Sequence, residues 1–158
     1  MIKKSLSIIA VLFSFVLVPA HAQTMQIKTS NGLESRDVTR TLPGPNQQLS
    51  PSGKTFYYGG SAEDGVRKFN ADGTGSYIDG QRTGNFEWGF AAVGGKPVIK
   101  SFKEWRDENR PENTLPAAQI YINFTSGRLS GASYTEIVGL VSPTSAVMYL
   151  SPLFYTKN

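Results

Sequence analysis

The chain has 158 residues, of which 39% are hydrophobic, and its formal net charge is +4 at pH 7. It contains no cysteine and a single histidine. Two of its 16 basic residues lie at positions 3 and 4, in a segment that we expect to be removed, and the remaining excess of positive charge is too weak to predict a nucleic-acid partner.

Residues 1–22 have the pattern of a secretory signal peptide. Two lysines give a positive start, an unbroken run of apolar and small residues covers positions 6–18, and Ala20-His21-Ala22 supplies the small residues that signal peptidase requires. The apolar run is shorter than the roughly 20 residues of a membrane-spanning helix, which is the alternative interpretation. We therefore expect cleavage near Ala22, a mature chain in the periplasm or secreted, and no integral membrane segment after the signal is removed.

The next segment, residues 23–52, is polar and rich in residues that favour turns. Its large apolar residues are sparse and follow no helical period. We predict an extended polar N-terminal arm with one short strand at 25–29, followed by a single β-barrel domain at 53–158.

Beyond residue 53, short aromatic and β-branched runs alternate with glycine-rich breaks, as in an antiparallel sheet. The clearest hairpin is 69–77, because Asp72-Gly73 is a pair that tight turns favour. One short helix is predicted at 101–109. The eight predicted strands cover residues 54–58, 66–69, 74–79, 85–91, 97–102, 119–124, 132–141 and 146–155. The predicted fold class is all-β, a single antiparallel barrel or sandwich of about eight strands.

Residues 49–100 contain Leu49-x3-Gly53-x2-Phe56, the hairpin FNADGTGSY at 69–77, and Gly84-x-Phe86-x-Trp88. This arrangement resembles the first half of a bacterial lipocalin-like (calycin-type) domain. The resemblance implies an antiparallel β-barrel with an apolar cavity. One position departs from the pattern, because Phe56 stands where a lipocalin-type first strand carries tryptophan.

The available chemistry is limited, because His21 lies in the predicted signal segment and the mature chain then has neither imidazole nor thiol. Nucleophile systems built on Ser-His-Asp or Cys-His are therefore excluded, as are typical zinc, haem and iron–sulfur sites. We predict no enzymatic activity, no catalytic residue, no metal and no cofactor. A carboxylate-dependent hydrolase is a distant alternative, and Glu87 and Glu136 are the two strand acids that would serve it.

The candidate ligand-binding residues are mostly aromatic. Phe86, Trp88 and Phe90 alternate along one predicted strand, and Ile122 lies on another. Such side chains either fill the interior of a small barrel or line a cavity for one ligand. Trp105 lies among charged residues, where it caps one end of the barrel, anchors a partner or covers a pocket.

These observations favour an exported, soluble, non-enzymatic binding protein that holds a small apolar or amphiphilic ligand in a β-barrel. The alternative is a periplasmic protein-binding module, of the inhibitor or immunity type, that uses its loops and Trp105 to contact a protein partner.

Overall fold

The computed structural model describes residues 23–58, 65–106, 115–142, 145–149 and 153–156. The predicted signal peptide, the end of the predicted helix and the middle of the last predicted strand lie outside these residues. No helix in the described part of the chain is long and apolar enough to cross a membrane. The strands are β1 (Gln23–Thr29), β2 (Gly32–Thr39), β3 (Thr55–Tyr58), β4 (Val66–Phe69), β5 (Thr74–Asp79), β6 (Arg82–Val93), β7 (Lys96–Pro97), β8 (Ile99–Ser101), β9 (Pro116–Phe124), β10 (Ser133–Ser142), β11 (Ser145–Tyr149) and β12 (Leu153–Thr156). A 3₁₀ helix covers Gly44–Leu49 and helix α1 covers Phe102–Arg106.

Eight of the strands form a ring of antiparallel pairs. In chain order β3, β4, β5, β6, β9, β10, β11 and β12 each pair with the next, and β12 pairs with β3. Every member of the ring therefore has two paired neighbours, as in an up-and-down β-barrel. The predicted all-β fold, with a single antiparallel arrangement of about eight strands, is confirmed.

Side-chain alternation separates an apolar interior from a polar outer wall. On β6, Phe86, Trp88 and Phe90 are buried, whereas Asn85 and Glu87 between and before them are exposed. Successive strand residues point to opposite faces, so the inward face of β6 contributes these three aromatic rings to the interior. The interior core consists of Phe56, Phe69, Tyr77, Phe86, Trp88, Phe90, Ala118, Ile120, Ile122, Phe124 and Val138, with Leu42 and Leu49 packed against them.

The two ends of the barrel differ. The 3₁₀ helix precedes β3 and covers the end that carries the β4–β5 turn, where Leu49 is completely buried in the core. In the β4–β5 turn, Gly73 has a φ of 85° and the carboxylate of Asp72 accepts a hydrogen bond from the Thr74 amide at 2.9 Å. The opposite end carries the β5–β6 turn and the loop 125–132 that joins β9 to β10.

The N-terminal segment is more ordered than predicted, because β1 and β2 form a hairpin against the outer wall of the barrel. Met25, Ile27 and Val38 pack against Tyr121 of β9. The side chain of Asn123 donates a hydrogen bond to the Gln26 carbonyl at 2.7 Å, which fixes β1 across β9. The hairpin thus crosses the outer wall toward β10.

Candidate ligand-binding site

Four of the predicted site residues lie together in the barrel interior. Trp88, Phe90 and Ile122 have no accessible surface and Phe86 is 1% exposed, so these four side chains are packed against their neighbours. The Trp88 and Phe90 rings meet edge to face with their centroids 5.5 Å apart. The Trp88 indole N–H donates to the Asn70 and Thr74 carbonyls at 3.1 and 3.2 Å. At this level the barrel is filled by packed side chains, and a ligand would have to displace one.

The structure places Trp105 on the other side of the barrel wall from these four residues. It is half-buried on α1 and packs against Ala117 and Ile137 on the outer faces of β9 and β10. Its indole N–H donates to the Ala117 carbonyl at 3.2 Å, and the Lys100 ammonium lies 5.0 Å from the ring centroid. Trp105 therefore fastens α1 to the wall.

The two acids considered for hydrolysis also lie on opposite sides of the wall. Glu87 is exposed on the outer face of β6, whereas Glu136 points into the barrel and is 1% exposed. Paired catalytic carboxylates must face one substrate. Glu87 and Glu136 do not share such a space.

Glu136 instead pairs with Arg67 across the lumen. Arg67 lies on β4 and Glu136 on β10, and these strands are four positions apart in the ring of eight, on opposite walls. Arg67 Nη1 donates to Glu136 Oε1, and the guanidinium lies 5.4 Å from the centroid of the Phe124 ring. The Arg67 side chain is 14% exposed and that of Glu136 is completely buried. The pair is a charged bridge inside an otherwise apolar barrel.

Glu136 is a buried carboxyl group whose surroundings disfavour its charged form. Burial raises the pKa of Glu136 to about 7, against the opposing attraction of the Arg67 charge and its hydrogen bond. Within the described residues, Glu136 Oε2 has no hydrogen-bond partner. A buried ion pair stabilises a fold only when its remaining polar atoms are also satisfied. A carboxyl group kept under these conditions is a candidate functional group.

Aromatic contacts connect this bridge to the surface. Phe124 packs edge to face against Tyr134, with ring centroids 5.4 Å apart, and Tyr134 is 42% exposed. Tyr77 packs on Phe124 from another side at 5.1 Å, and its hydroxyl accepts a hydrogen bond from the Leu129 amide at 3.2 Å. Tyr134 therefore stands at the rim of the barrel end that the 125–132 loop borders.

Beside Tyr134 is an open groove of about 440 Å³, lined by Lys28 and residues 128–134. We call it the rim groove. The Lys28 amide donates to Ser133 Oγ at 2.9 Å, so the β1–β2 hairpin brings Lys28 to the edge of the groove. Lys28 and Arg128 form no ion pair within the described residues. The volume lies within the range of about 300 to 1,000 Å³ typical of small-molecule sites.

Sequence reasoning selected Glu136 but missed Arg67, Tyr134 and the rim groove. Strand alternation contained the signal for the pair, because Arg67 is two residues before the core residue Phe69 and Glu136 is two residues before Val138. Both charged residues therefore share the inward parity of buried neighbours. The groove had no such signal, since it combines a hairpin and a loop about 100 positions apart in the sequence.

The arrangement can bind by charge, hydrogen bonding and aromatic contact. In the described part of the chain, no group of three His, Cys, Asp or Glu side chains is placed to hold a metal ion. We compared the chain with protein-family models, with curated proteins and with solved structures, and none of them matches it.

Proposed function

We propose that the mature domain is an exported, non-enzymatic binding protein that takes a small anionic amphiphile into the rim groove. The observation that carries the proposal is the rim groove itself, in which an exposed aromatic ring lies beside two cationic residues that form no ion pair with any residue the structure describes. Lys28 and Arg128 supply the attraction for an anionic group. Tyr134 and the partly buried Leu129 and Ala132 supply apolar surface for the rest of the ligand.

The loop end of the barrel supports this function better than the aromatic layer does. The layer around Trp88 is packed without space for a ligand, and the 3₁₀ helix covers the end beyond it. The lipocalin-like resemblance agrees with a binding role and stays a prediction. Export to the periplasm or the exterior, with cleavage near Ala22, is part of the proposal.

The test uses the fluorescent anion 1-anilinonaphthalene-8-sulfonate, which combines a sulfonate with aromatic rings. We expect saturable binding to the mature chain with one site, competition by octanoate, and no competition by octylamine. Arg128→Ala and Tyr134→Ala should each weaken binding about tenfold, since each removes a groove contact worth about 1 kcal/mol or more.

Arg82→Ala is the matched control. Arg82 is an exposed arginine at the same end of the barrel, beside Asp79 at 3.9 Å, and it does not line the rim groove. Equal weakening by Arg82→Ala would show that only net charge matters. If the dye does not saturate, and native mass spectrometry of the chain purified from its own host shows a protein at fixed stoichiometry, the protein-binding module replaces this proposal.

A further inference from the structure

We infer that Asn123 and Ser133 are positioning residues for the rim groove, because they hold the edge of β1 against the barrel wall. The β1–β2 hairpin is then a movable wall of the groove, and the ligand binds tightly only while the hairpin is docked. The inference rests on the proposed function and names what controls that same site.

The rim groove is formed by two parts of the chain that are far apart in sequence. Residues 128–134 belong to the loop after β9 and to the start of β10, whereas Lys28 belongs to β1. A ligand that fills the groove therefore contacts the barrel and the hairpin at the same time. Such a ligand favours the docked hairpin, since it loses contacts when the hairpin leaves the wall.

Side chains hold the edge of β1 that faces the barrel. Among the described strands β1 pairs only with β2. On its other edge, the Gln26 carbonyl accepts a hydrogen bond from Asn123 Nδ2 at 2.7 Å, and the Lys28 amide donates to Ser133 Oγ at 2.9 Å. The Ser133 hydroxyl donates in turn to Asn123 Oδ1 at 2.7 Å. Asn123 and Ser133 lie opposite each other on β9 and β10, so together they supply one donor and one acceptor to the β1 edge.

The half of the hairpin that reaches the groove has few other attachments. β2 pairs with the barrel through Val38 and Thr39, at the end far from the β1–β2 turn. Between residues 26 and 35, only Ile27 is buried, in the cluster that packs against Tyr121. A segment with few buried apolar contacts opens at a lower free energy than the core does. This half of the hairpin therefore leaves the wall without unfolding of the barrel.

Docking of the hairpin and binding of the ligand strengthen each other by the same factor. Loss of the Asn123 hydrogen bond lowers the docked fraction, and the apparent affinity for the ligand falls with that fraction. Asn123 does not line the groove, whereas Ser133 does. Substitution of Asn123 therefore reaches the ligand only through Ser133 and the hairpin.

The first experiment measures hydrogen exchange of the Lys28 amide in the mature chain, with and without 1-anilinonaphthalene-8-sulfonate. At a dye concentration of about ten times the dissociation constant, exchange at Lys28 should slow about tenfold, because the dye binds only the docked state. The control is the Thr74 amide, which donates to Asp72 at the opposite end of the barrel and should exchange equally with and without dye. If the dye binds saturably and Lys28 exchanges at an unchanged rate, the inference is wrong.

The second experiment uses Asn123→Ala, with Asn85→Ala as the matched control. In Asn123→Ala, exchange at Lys28 should become about fivefold faster, since one hydrogen bond of the β1 edge is lost. Dye affinity should fall about two- to fivefold, in proportion to the docked fraction. Asn85 is an exposed asparagine on the outer wall of β6 that makes no hydrogen bond to the hairpin, so its substitution should change neither quantity.

The outcomes separate this inference from the proposed function. If Arg128→Ala and Tyr134→Ala weaken dye binding while Asn123→Ala keeps the affinity and the Lys28 exchange rate of the wild type, the rim groove stands and the inference is overturned. If the wild-type protein does not bind the dye, the proposed function is wrong and this inference falls with it. Far-ultraviolet circular dichroism checks each variant for folding, and if Asn123→Ala does not fold, the exchange experiment on the wild type decides alone.

Discussion

Glu136 couples the protonation of one carboxyl group to the stability of the barrel. Burial raises its pKa from an ordinary 4.5 to about 7 in the folded state. Between these pH values the folded chain binds more protons than the unfolded chain, so the free energy of unfolding falls as pH rises. Across the interval the loss amounts to about 3 kcal/mol from this group.

Glu136→Gln should remove that pH dependence, because the amide does not titrate. In urea unfolding of the wild type, the stabilising contribution of Glu136 to the free energy of unfolding should be complete below about pH 4.5 and lost above about pH 7. The variant should lack this contribution. Glu87→Gln changes an exposed carboxylate on the outer wall and serves as the control. An identical slope of stability against pH in wild type and Glu136→Gln would contradict the prediction.

Gly75 on β5 is required by the packing of a neighbouring ring. A Cβ atom there would lie 2.2 Å from ring atoms of Phe86 and 2.7 Å from the Lys68 carbonyl oxygen. Gly75→Ala should therefore lower the free energy of unfolding by about 1 to 3 kcal/mol, as overpacked core substitutions do. Ser76→Ala on the same strand should change the midpoint of urea unfolding far less, and equal shifts for the two variants would refute the packing argument.

At the scale of elements, the 3₁₀ helix closes one end of the barrel through Leu49. Because this side chain has no accessible surface, Leu49→Ala should cost about 2 to 5 kcal/mol in urea unfolding. Leu33→Ala is the control, since Leu33 is 72% exposed at the start of β2 and should change stability by less than about 0.5 kcal/mol. Similar losses for both would mean that the 3₁₀ helix is not anchored by Leu49.

The elements whose pattern is local were predictable from the sequence. The strands at 66–69 and 74–79 and their Asp72-Gly73 turn were predicted with the bounds that the structure has. Strand β2 was missed, because its only buried residue is Val38 and one apolar position gives no alternation to detect. Helix α1 begins at Phe102, one residue later than predicted, because Ser101 ends strand β8, and residues 107–109 of the predicted helix lie outside the described residues.

At the scale of the whole molecule, the candidate site depends on contacts that no local pattern shows. The aromatic interior followed from alternation along β6, but the Arg67–Glu136 bridge requires the ring that places β4 opposite β10. Lys28 reaches the rim groove only because the β1–β2 hairpin crosses the outer wall. The bridge and the rim groove each combine segments that are distant in sequence. The hydrophobic pattern of a single strand therefore does not predict them.

The ring of paired strands predicts one cooperative unfolding transition. Trp88 reports on the interior and Trp105 on the outer wall, and they are the only tryptophans of the chain. In Trp105→Phe and Trp88→Phe, the remaining indole should report the same loss of structure as circular dichroism does, within each variant. If the fluorescence of Trp105 changed earlier in the unfolding transition than the circular dichroism signal of the same variant, α1 would detach from the wall before the barrel opens.

The pairing of β12 with β3 has a consequence for how the polypeptide is made. A nascent chain that ends before Leu153 leaves β3 and β11 each with an unpaired edge. The ring therefore closes only after β12 has emerged from the ribosome. Truncated products that lack β12 expose two edges on which other chains can add strands and aggregate.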